Sequence, residues 1–166
     1  MNEGPVKRHW MLAPLTALYG MAIGVRNRLF DWKLLSSEDF DLPIISVGNL
    51  TVGGTGKTPH TEYLIRLLKD KYKVALLSRG YKRKTSGYRL ATDASTPQEI
   101  GDESYQIKKK YPNIHVAVDA DRRHGIHKLC DEAASSDTEV VLLDDAFQHR
   151  YVRPGINILL MDYNRP

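Results

Sequence analysis

Residues 43–58 read PIISVGNLTVGGTGKT, an apolar run followed by a glycine-rich turn that ends in Gly-Lys-Thr. The apolar run predicts a strand, the glycines predict a tight turn, and the pattern from His60 to Tyr72 predicts a helix. Strand, glycine-rich turn and helix in this order form the context in which a phosphate-binding P-loop is credible. The backbone N–H groups of such a turn and the N-terminus of the following helix both attract phosphate oxygens.

Two side chains at the end of the turn have defined roles in a P-loop. Lys57 would reach the β- and γ-phosphates, and the Thr58 hydroxyl would bind Mg²⁺. One position departs from the motif, because Thr51 stands where the first glycine is expected. A tight turn with a chance Gly-Lys-Thr is the alternative, and the strand–turn–helix context disfavours it. The predicted phosphate-binding residues are Thr51, Val52, Gly53, Gly54, Thr55, Gly56, Lys57 and Thr58.

Composition agrees with a nucleotide-binding domain. The 166 residues amount to about one domain. The net charge of +4 suggests an anionic partner, such as a nucleotide, a phospholipid surface or a nucleic acid. Because Cys130 is the single cysteine, no intrachain disulfide can form, and we expect it to be a small buried hydrophobe.

Residues 1–42 differ from the rest and are predicted to form a separate helical segment. An apolar run over residues 10–25 contains Pro14 and has basic residues on both sides. A membrane-spanning helix needs about 20 residues, so this run is too short. A secretory signal peptide is disfavoured because a P-loop protein that uses ATP belongs where ATP is. An amphipathic helix at a membrane interface and a helix packed on the core domain fit the composition equally well.

Residues 43–166 form the predicted nucleotide-binding domain. Apolar runs alternate with helical patterns, which favours an α/β fold with a doubly wound, mostly parallel sheet of the P-loop NTPase type. Ligands of such sheets bind at the carboxyl ends of the strands. The predicted strands cover residues 44–47, 73–78, 114–118, 139–143 and 156–161, and the predicted helices cover 58–72, 102–111 and 121–134.

A second nucleotide-binding signal is Val140-Val141-Leu142-Leu143-Asp144-Asp145. Four apolar residues followed by an acid are typical of a Walker B strand, whose carboxylate holds Mg²⁺ opposite Thr58. Adjacent side chains of an extended chain point in opposite directions, so one aspartate would face the metal and the other would not. Which of Asp144 and Asp145 does so is left open by the sequence.

Four motifs in register resemble the tetraacyldisaccharide 4′-kinase family, the lipid A 4′-kinases. They are residues 47–59 around the P-loop, Ser78-Arg79-Gly80-Tyr81, Gly101-Asp102-Glu103 and residues 144–150, DDAFQHR. The resemblance implies transfer of a phosphoryl group from ATP to the 4′-hydroxyl of a membrane-embedded acylated glucosamine disaccharide. It also implies that the N-terminal helix lies on the cytoplasmic face of the inner membrane, which favours the interfacial interpretation.

The resemblance also implies roles for individual residues. Lys57 and Thr58 would hold the ATP phosphates and Mg²⁺, and Asp144 and Asp145 would be the acidic pair near the metal. Asp102 would be the catalytic aspartate, which acts in the family together with a histidine from later in the chain. The alternative for Asp102 is a helix N-cap, a common position for aspartate, and the two roles are compatible.

Five further residues are candidates for contacts with the anionic or sugar parts of the substrate: Arg79, Tyr81, Arg122, Arg123 and Gln148. Arginine suits bidentate contact with phosphate. His149 has three open interpretations, as a base, a nucleotide contact or a packed polar residue. Ala146 departs from the family, which usually has glycine at this position.

The family's second lobe is not found in these residues, nor is the histidine partner expected for Asp102. We therefore expect a chain that corresponds to the nucleotide-binding lobe, with activity of the chain by itself left open. A P-loop ATPase that serves as a switch or scaffold is the alternative function. No nucleic-acid-binding motif is present, and a monomer is expected.

Overall fold

The computed structural model describes residues 13–32, 34–49, 56–146 and 149–161. The chain divides into two compact units, residues 1–36 and residues 37–166. Residues 37–42, assigned to the N-terminal segment from the sequence, lie in the second unit, where Glu38 forms a parallel bridge with Val152.

The described helices are α1 (Ala13–Asp31), α2 (Lys57–Leu68), α3 (Pro97–Ile100), α4 (Asp102–Lys110) and α5 (Arg122–Asp131). The described strands are β1 (Ile44–Asn49), β2 (Val74–Ser78), β3 (Arg89–Leu90), β4 (His115–Val118), β5 (Val140–Asp144) and β6 (Ile156–Leu160).

The first unit contains the 19-residue helix α1. Its amphipathic character is not confirmed, because apolar and polar residues are not separated onto opposite faces of the helix. Met21 and Val25 are 64% and 52% exposed. Among the described residues, no helix combines the length and the apolarity needed to cross a bilayer.

The second unit is built on a six-stranded sheet with the order β3-β4-β2-β5-β1-β6. All neighbouring strands are parallel except the pair β3 and β4, which is antiparallel. The mostly parallel α/β fold expected from the sequence is therefore confirmed. Because β1, β2, β4 and β5 run in the same direction, their carboxyl ends meet at one edge of the sheet.

Two hydrophobic clusters cover the two faces of this sheet. On one face, Leu76 and Leu142 pack in a cluster with Ile65 of α2 and with residues of α3 and α4. On the other face, Leu77 and Leu143 belong to a cluster with Ile126 and other residues of α5 and its surroundings. Since successive strand residues point to opposite faces, both sets must be apolar. This explains why the central strands are continuous apolar runs.

The structure departs from the sequence expectations in three places. The short strand β3 and the four-residue helix α3 were not predicted. A capping box formed by Thr96 and Glu99 begins α3 at Pro97. The expectation that Cys130 is buried is wrong, because the thiol lies on the exposed face of α5. A cysteine in a helical pattern is compatible with either face, and composition alone does not distinguish the two.

Candidate active site

The candidate site lies at the carboxyl edge of the sheet, where β1 leads into α2. Gly56 precedes α2 with a φ of +78°, a left-handed conformation that glycine adopts without strain. Lys57 and Thr58 are the first two residues of the helix and are partly buried. Both side chains thus start where the helix N-terminus contributes partial positive charge. The predicted phosphate-binding residues Thr51, Val52, Gly53, Gly54 and Thr55 lie outside the described residues.

Lys57 and Asp145 join the two predicted nucleotide-binding motifs. The Lys57 Nζ atom donates a hydrogen bond of 2.6 Å to Asp145 Oδ1, although 88 positions separate the residues in sequence. Asp145 is an exposed residue with a φ of +52°, an uncommon conformation that aspartate tolerates better than most residues. The turn after β5 therefore directs this carboxylate towards the start of α2.

Asp144 differs from its neighbour because it is buried. It is the last residue of β5 and is only 7% exposed. Thr61 Oγ1, one turn into α2, donates a long hydrogen bond of 3.4 Å to Asp144 Oδ1. Burial, together with the nearby charges of Glu103 and Asp145, raises the pKa of Asp144 to about 6. The sequence left the difference between the two aspartates open, and the structure separates them by burial and by partner.

Asp102 is the first residue of α4 and is exposed. The alternative that Asp102 is the helix N-cap is wrong, because Gly101 occupies that position and no side chain caps the helix. A cavity of about 170 Å³ lies beside it. The residues that line this cavity are Ser78, Tyr81, Lys82, Gly101, Asp102, Glu103 and Ser104. Two of the predicted site residues, Asp102 and Tyr81, therefore share one opening.

Arg122 does not occupy the position expected of a substrate contact. Its side chain is only 1% exposed. Its guanidinium donates to the backbone oxygen of Asp119 and, at 3.1 Å, to the backbone oxygen of Asp144. Burial lowers the pKa of Arg122 to about 10. From inside the protein, the group connects the residue after β4 with the last residue of β5, and it offers no surface to a substrate in this structure.

The remaining candidates are spread around the site. Arg79 and Tyr81 are exposed after β2. Arg123 lies partly exposed at the start of α5, with its Cζ atom 4.8 Å from the ring centroid of Tyr151. His149 lines a separate cavity of about 240 Å³. Gln148 lies outside the described residues.

Three residues near the site were not identified from the sequence. Thr61 lies four positions after Lys57, a spacing that places both on one face of a helix. Glu103 follows Asp102 directly and contributes to the raised pKa of Asp144. Asp119 follows the apolar strand β4 directly, much as Asp144 ends the apolar strand β5. The pattern of an apolar run followed by an acid, which identified Asp144, would therefore have identified Asp119 as well. Its carboxylate contacts His124 Nδ1 at 2.6 Å.

The chemistry of these donors fits a magnesium ion bound together with phosphates. Within the described ranges, no group of three or more His, Cys, Asp or Glu residues is placed to hold a metal by itself. Mg²⁺ typically uses one or two carboxylates and takes its other ligands from water and substrate phosphates. Asp144 and Asp145 supply such carboxylates, and Thr58 supplies a hydroxyl. The negative charges of Glu103 and Asp145 act on Asp144 and raise its pKa. A divalent cation would offset this concentration of negative charge.

Comparison with known proteins places this site in a family. Residues 8–166 match the family model described as LpxK, tetraacyldisaccharide-1-P 4′-kinase. The tetraacyldisaccharide 4′-kinase of Phocaeicola vulgatus is 60% identical over 165 residues, which are 99% of this chain and 45% of that protein. The corresponding protein of Flavobacterium psychrophilum is 54% identical over 92% of this chain and 44% of its own length.

A solved structure is also similar. The "apo" form of LpxK from Aquifex aeolicus, crystallised in complex with ATP, aligns with a TM-score of 0.82 and 40% identity. The alignment covers 93% of this chain and 49% of that one. The chain thus spans about half the length of the relatives it matches. With the family model covering nearly all of its residues, the chain belongs to the tetraacyldisaccharide-1-P 4′-kinase family.

Proposed function

We propose that this chain is the nucleotide-binding part of a kinase that transfers a phosphoryl group from ATP to the 4′-hydroxyl of tetraacyldisaccharide 1-phosphate. The observation that carries the proposal is the 2.6 Å contact between Lys57 and Asp145, which brings the P-loop lysine and the Walker B acids to one point. The relatives are named as kinases of this lipid, and the related structure contains ATP. These findings support the same reaction for the protein to which this chain corresponds.

The proposed roles follow from position. Lys57 and the predicted phosphate-binding residues 51–56 would hold the ATP phosphates, and Thr58, Asp144 and Asp145 would hold Mg²⁺. When bound, Mg²⁺ would neutralise charge on the phosphate oxygens. Lys57 exchanges its carboxylate partner for phosphate oxygens and keeps the phosphoryl group in place. Phosphoryl transfer depends mostly on such positioning and charge stabilisation.

Asp102 is proposed to act on the acceptor. Its exposed position beside the cavity of about 170 Å³ leaves room for a sugar hydroxyl. In the family, this aspartate acts with a histidine, and an aspartate that orients a histidine favours removal of a proton from a hydroxyl. The imidazoles of four described histidines contact other groups, since His60, His115, His124 and His127 pair with Gly56, Asp137, Asp119 and Glu38. We propose that the histidine belongs to the part of the protein that the relatives have in addition to these residues.

The acceptor lipid suggests a location and further contacts. Residues 1–42 are proposed as the segment that contacts the cytoplasmic face of the inner membrane, with residues 43–166 as the kinase lobe of a monomer. Arg79, Tyr81, Arg123 and Gln148 are the proposed contacts with the 1-phosphate and the sugars. Arg122 keeps a different role, because its buried guanidinium positions the backbone of Asp144.

The test is mass spectrometry of tetraacyldisaccharide 1-phosphate after incubation with the chain, ATP and Mg²⁺ in detergent micelles. A gain of one phosphate is expected, and Lys57→Ala is expected to reduce the rate by about 100-fold or more. Lys69→Ala is the matched control, because this lysine caps the other end of α2 and pairs only with Asp70 among the described residues. Its rate should equal that of the unmodified chain.

Two outcomes would contradict parts of this proposal. Equal losses in Lys57→Ala and Lys69→Ala, or unfolding of Lys57→Ala in circular dichroism, would show that Lys57 is structural. An unmodified chain that binds ATP and yields no phosphorylated lipid would restrict these residues to nucleotide binding. It would then leave the ATPase switch or scaffold as the better description of the chain alone.

A further inference from the structure

The loop after β2 carries a concentration of positive charge that the proposed chemistry does not use. Residues 79–87, RGYKRKTSG, are here called the basic loop. Four of these nine residues are Arg or Lys, and no acidic residue occurs between Arg79 and Thr92. The site residues proposed above include Arg79 and Tyr81 but leave Lys82 and Lys84 without a function.

The basic loop has a fixed conformation. The Lys84 backbone N–H donates to Gln98 O at 2.7 Å, and Thr85 Oγ1 donates to Glu99 O at 2.6 Å. Both contacts attach the loop to α3. Arg83 closes the loop on itself, because its Nη2 atom donates to Gly87 O at 2.8 Å. At the first end of the loop, the Gly80 N–H donates to Ser78 Oγ at 3.2 Å, so both ends are anchored and the remaining side chains have defined positions.

The start of α4 supports the other side of the loop. Gly101 has a φ of +86°, and a Cβ atom there would lie 2.8 Å from Tyr81 O. Only glycine therefore lets the loop approach the helix this closely. Lys82 has a φ of +62°, which is uncommon for a residue with a long side chain. An uncommon backbone conformation persists where the surrounding structure holds it in place. In this conformation, Lys82 is exposed to solvent.

The outward side chains form a cationic surface around an aromatic ring. Tyr81 is 71% exposed, and Lys82 Nζ lies 5.4 Å from the centroid of its ring. Arg79, Lys82 and Lys84 are exposed as well, and none of them forms an ion pair with another described residue. Their charge is thus available to an external anion. Tyr81 and Lys82 also line the cavity beside Asp102.

We propose that the basic loop docks on an anionic lipid bilayer and brings the cavity beside Asp102 to the depth of the lipid headgroups. The inference rests on the proposed function, since only a lipid acceptor needs the cavity at that depth. Lysines near an anionic bilayer attract it, and tyrosine favours the interface because its ring is apolar and its hydroxyl is polar. A single exposed tyrosine suits a bilayer better than a nucleic acid, whose single strands stack on several aromatic rings.

The first test measures binding of the full chain to vesicles by co-sedimentation, without ATP or acceptor lipid. The vesicles contain either phosphatidylcholine alone, which has no net charge, or phosphatidylcholine with roughly 30% phosphatidylglycerol, which makes the surface anionic. The double variant Lys82→Ser, Lys84→Ser should bind anionic vesicles about 30-fold more weakly, about fivefold for each lysine. The matched control is Lys69→Ser, Lys71→Ser, which removes two exposed lysines from the turn that follows α2. Equal effects of the two double variants would overturn the proposal.

A second measurement separates the loop from any contribution of residues 1–42. In a Cys130→Ser background, Tyr81→Cys is labelled with an environment-sensitive fluorophore, and Tyr72→Cys provides an exposed control position. Anionic vesicles should shift the emission of the label at position 81 to the blue and leave the label at position 72 unchanged. Vesicle binding without a shift at position 81 would overturn the proposal.

Nucleic acid is tested as the competing partner. Docking on a bilayer would be overturned by two results together. The chain would bind RNA in a way that the Lys82→Ser, Lys84→Ser change abolishes, and it would fail to bind anionic vesicles. Neither vesicle measurement requires ATP, so a chain without kinase activity can still bind vesicles through the loop. Conversely, a chain with kinase activity whose vesicle binding does not change when the lysines of the basic loop are replaced would refute this inference and leave the proposed function intact.

Discussion

Strands β5 and β6 look alike in sequence and differ completely in environment. β5 reads VVLLD and β6 reads INILL, each a five-residue run with four apolar members. β5 lies between β1 and β2, and all five of its residues are buried. β6 pairs only with β1 among the described strands, and Ile156 is 55% exposed.

The difference shows that position in the sheet, more than strand composition, determines what a strand can do. Because β5 is enclosed, its terminal carboxylate on Asp144 is desolvated and has a raised pKa. In the described sheet, β6 has one neighbour and lies at the edge, so its side chains contribute less to the core. An interior strand can therefore hold a reactive group in a defined electrostatic environment, and an edge strand cannot.

The largest expected effect contrasts one leucine from each strand. Leu142→Ala in β5 should lower the free energy of unfolding by about 2–5 kcal/mol, because it leaves a cavity in a fully buried cluster. Leu159→Ala in β6 should lower it by less than about 1 kcal/mol, because this side chain is 36% exposed. Urea denaturation measures both values. Similar losses for the two variants would show that β6 is covered in solution.

The next prediction concerns pH and Asp144. A pKa that rises from 3.8 to about 6 means that the folded state binds more protons than the unfolded state between these values. Stability therefore falls as pH rises through this window, by about 3 kcal/mol. Asp144→Asn should remove this loss and be about that much more stable than the unmodified chain at pH 8 without Mg²⁺. The advantage should disappear as pH falls towards 4.

Asp145→Asn is the control for this comparison. Asparagine tolerates the positive φ at this position, and Asp145 is exposed and paired with Lys57. Its stability should show no comparable gain at pH 8. Urea denaturation of all three proteins at pH 4 and pH 8 decides the matter, and a pH-independent difference for Asp144→Asn would refute the role of desolvation.

The smallest expected effect on stability lies at the free edge of β6. Ile156→Lys should change the free energy of unfolding by less than about 0.5 kcal/mol. It should nevertheless slow aggregation on heating, because a lysine on an edge strand opposes pairing with another chain. Leu67→Lys is the control, since Leu67 of α2 is 56% exposed and has no strand edge beside it. Light scattering should detect slower aggregation only for Ile156→Lys.

The sequence predicted those features of the fold that depend on local patterns. Every parallel strand was located to within one or two residues, because each is an apolar run between turn residues. β3 was missed, since two residues carry no periodic signal and the pairing of Arg89 with Val118 is a tertiary contact. Strand order likewise depends on long-range pairing. The sequence therefore could not show that β5 is central and β6 is peripheral.

The candidate site was predictable to a similar extent. The motifs identified Lys57, Asp144 and Asp145, but only the structure distinguishes a buried aspartate from one that pairs with lysine. Arg122 was predicted to contact the substrate because arginine suits bidentate contact with phosphate. Its buried side chain bonds to the backbone oxygens of Asp119, after β4, and of Asp144, at the end of β5, a geometry without a sequence signal.

The ion pair between Lys57 and Asp145 would couple the two binding events of the proposed function, those of nucleotide and of metal. A polyphosphate that takes Lys57 must compete with Asp145, and it leaves that carboxylate without its positive partner. The released negative charge then attracts a cation more strongly than before. By thermodynamic linkage, the cation strengthens polyphosphate binding by the same factor. In the proposed function, one lysine contact of 2.6 Å would thus make nucleotide and metal binding cooperative through an exchange of counterions.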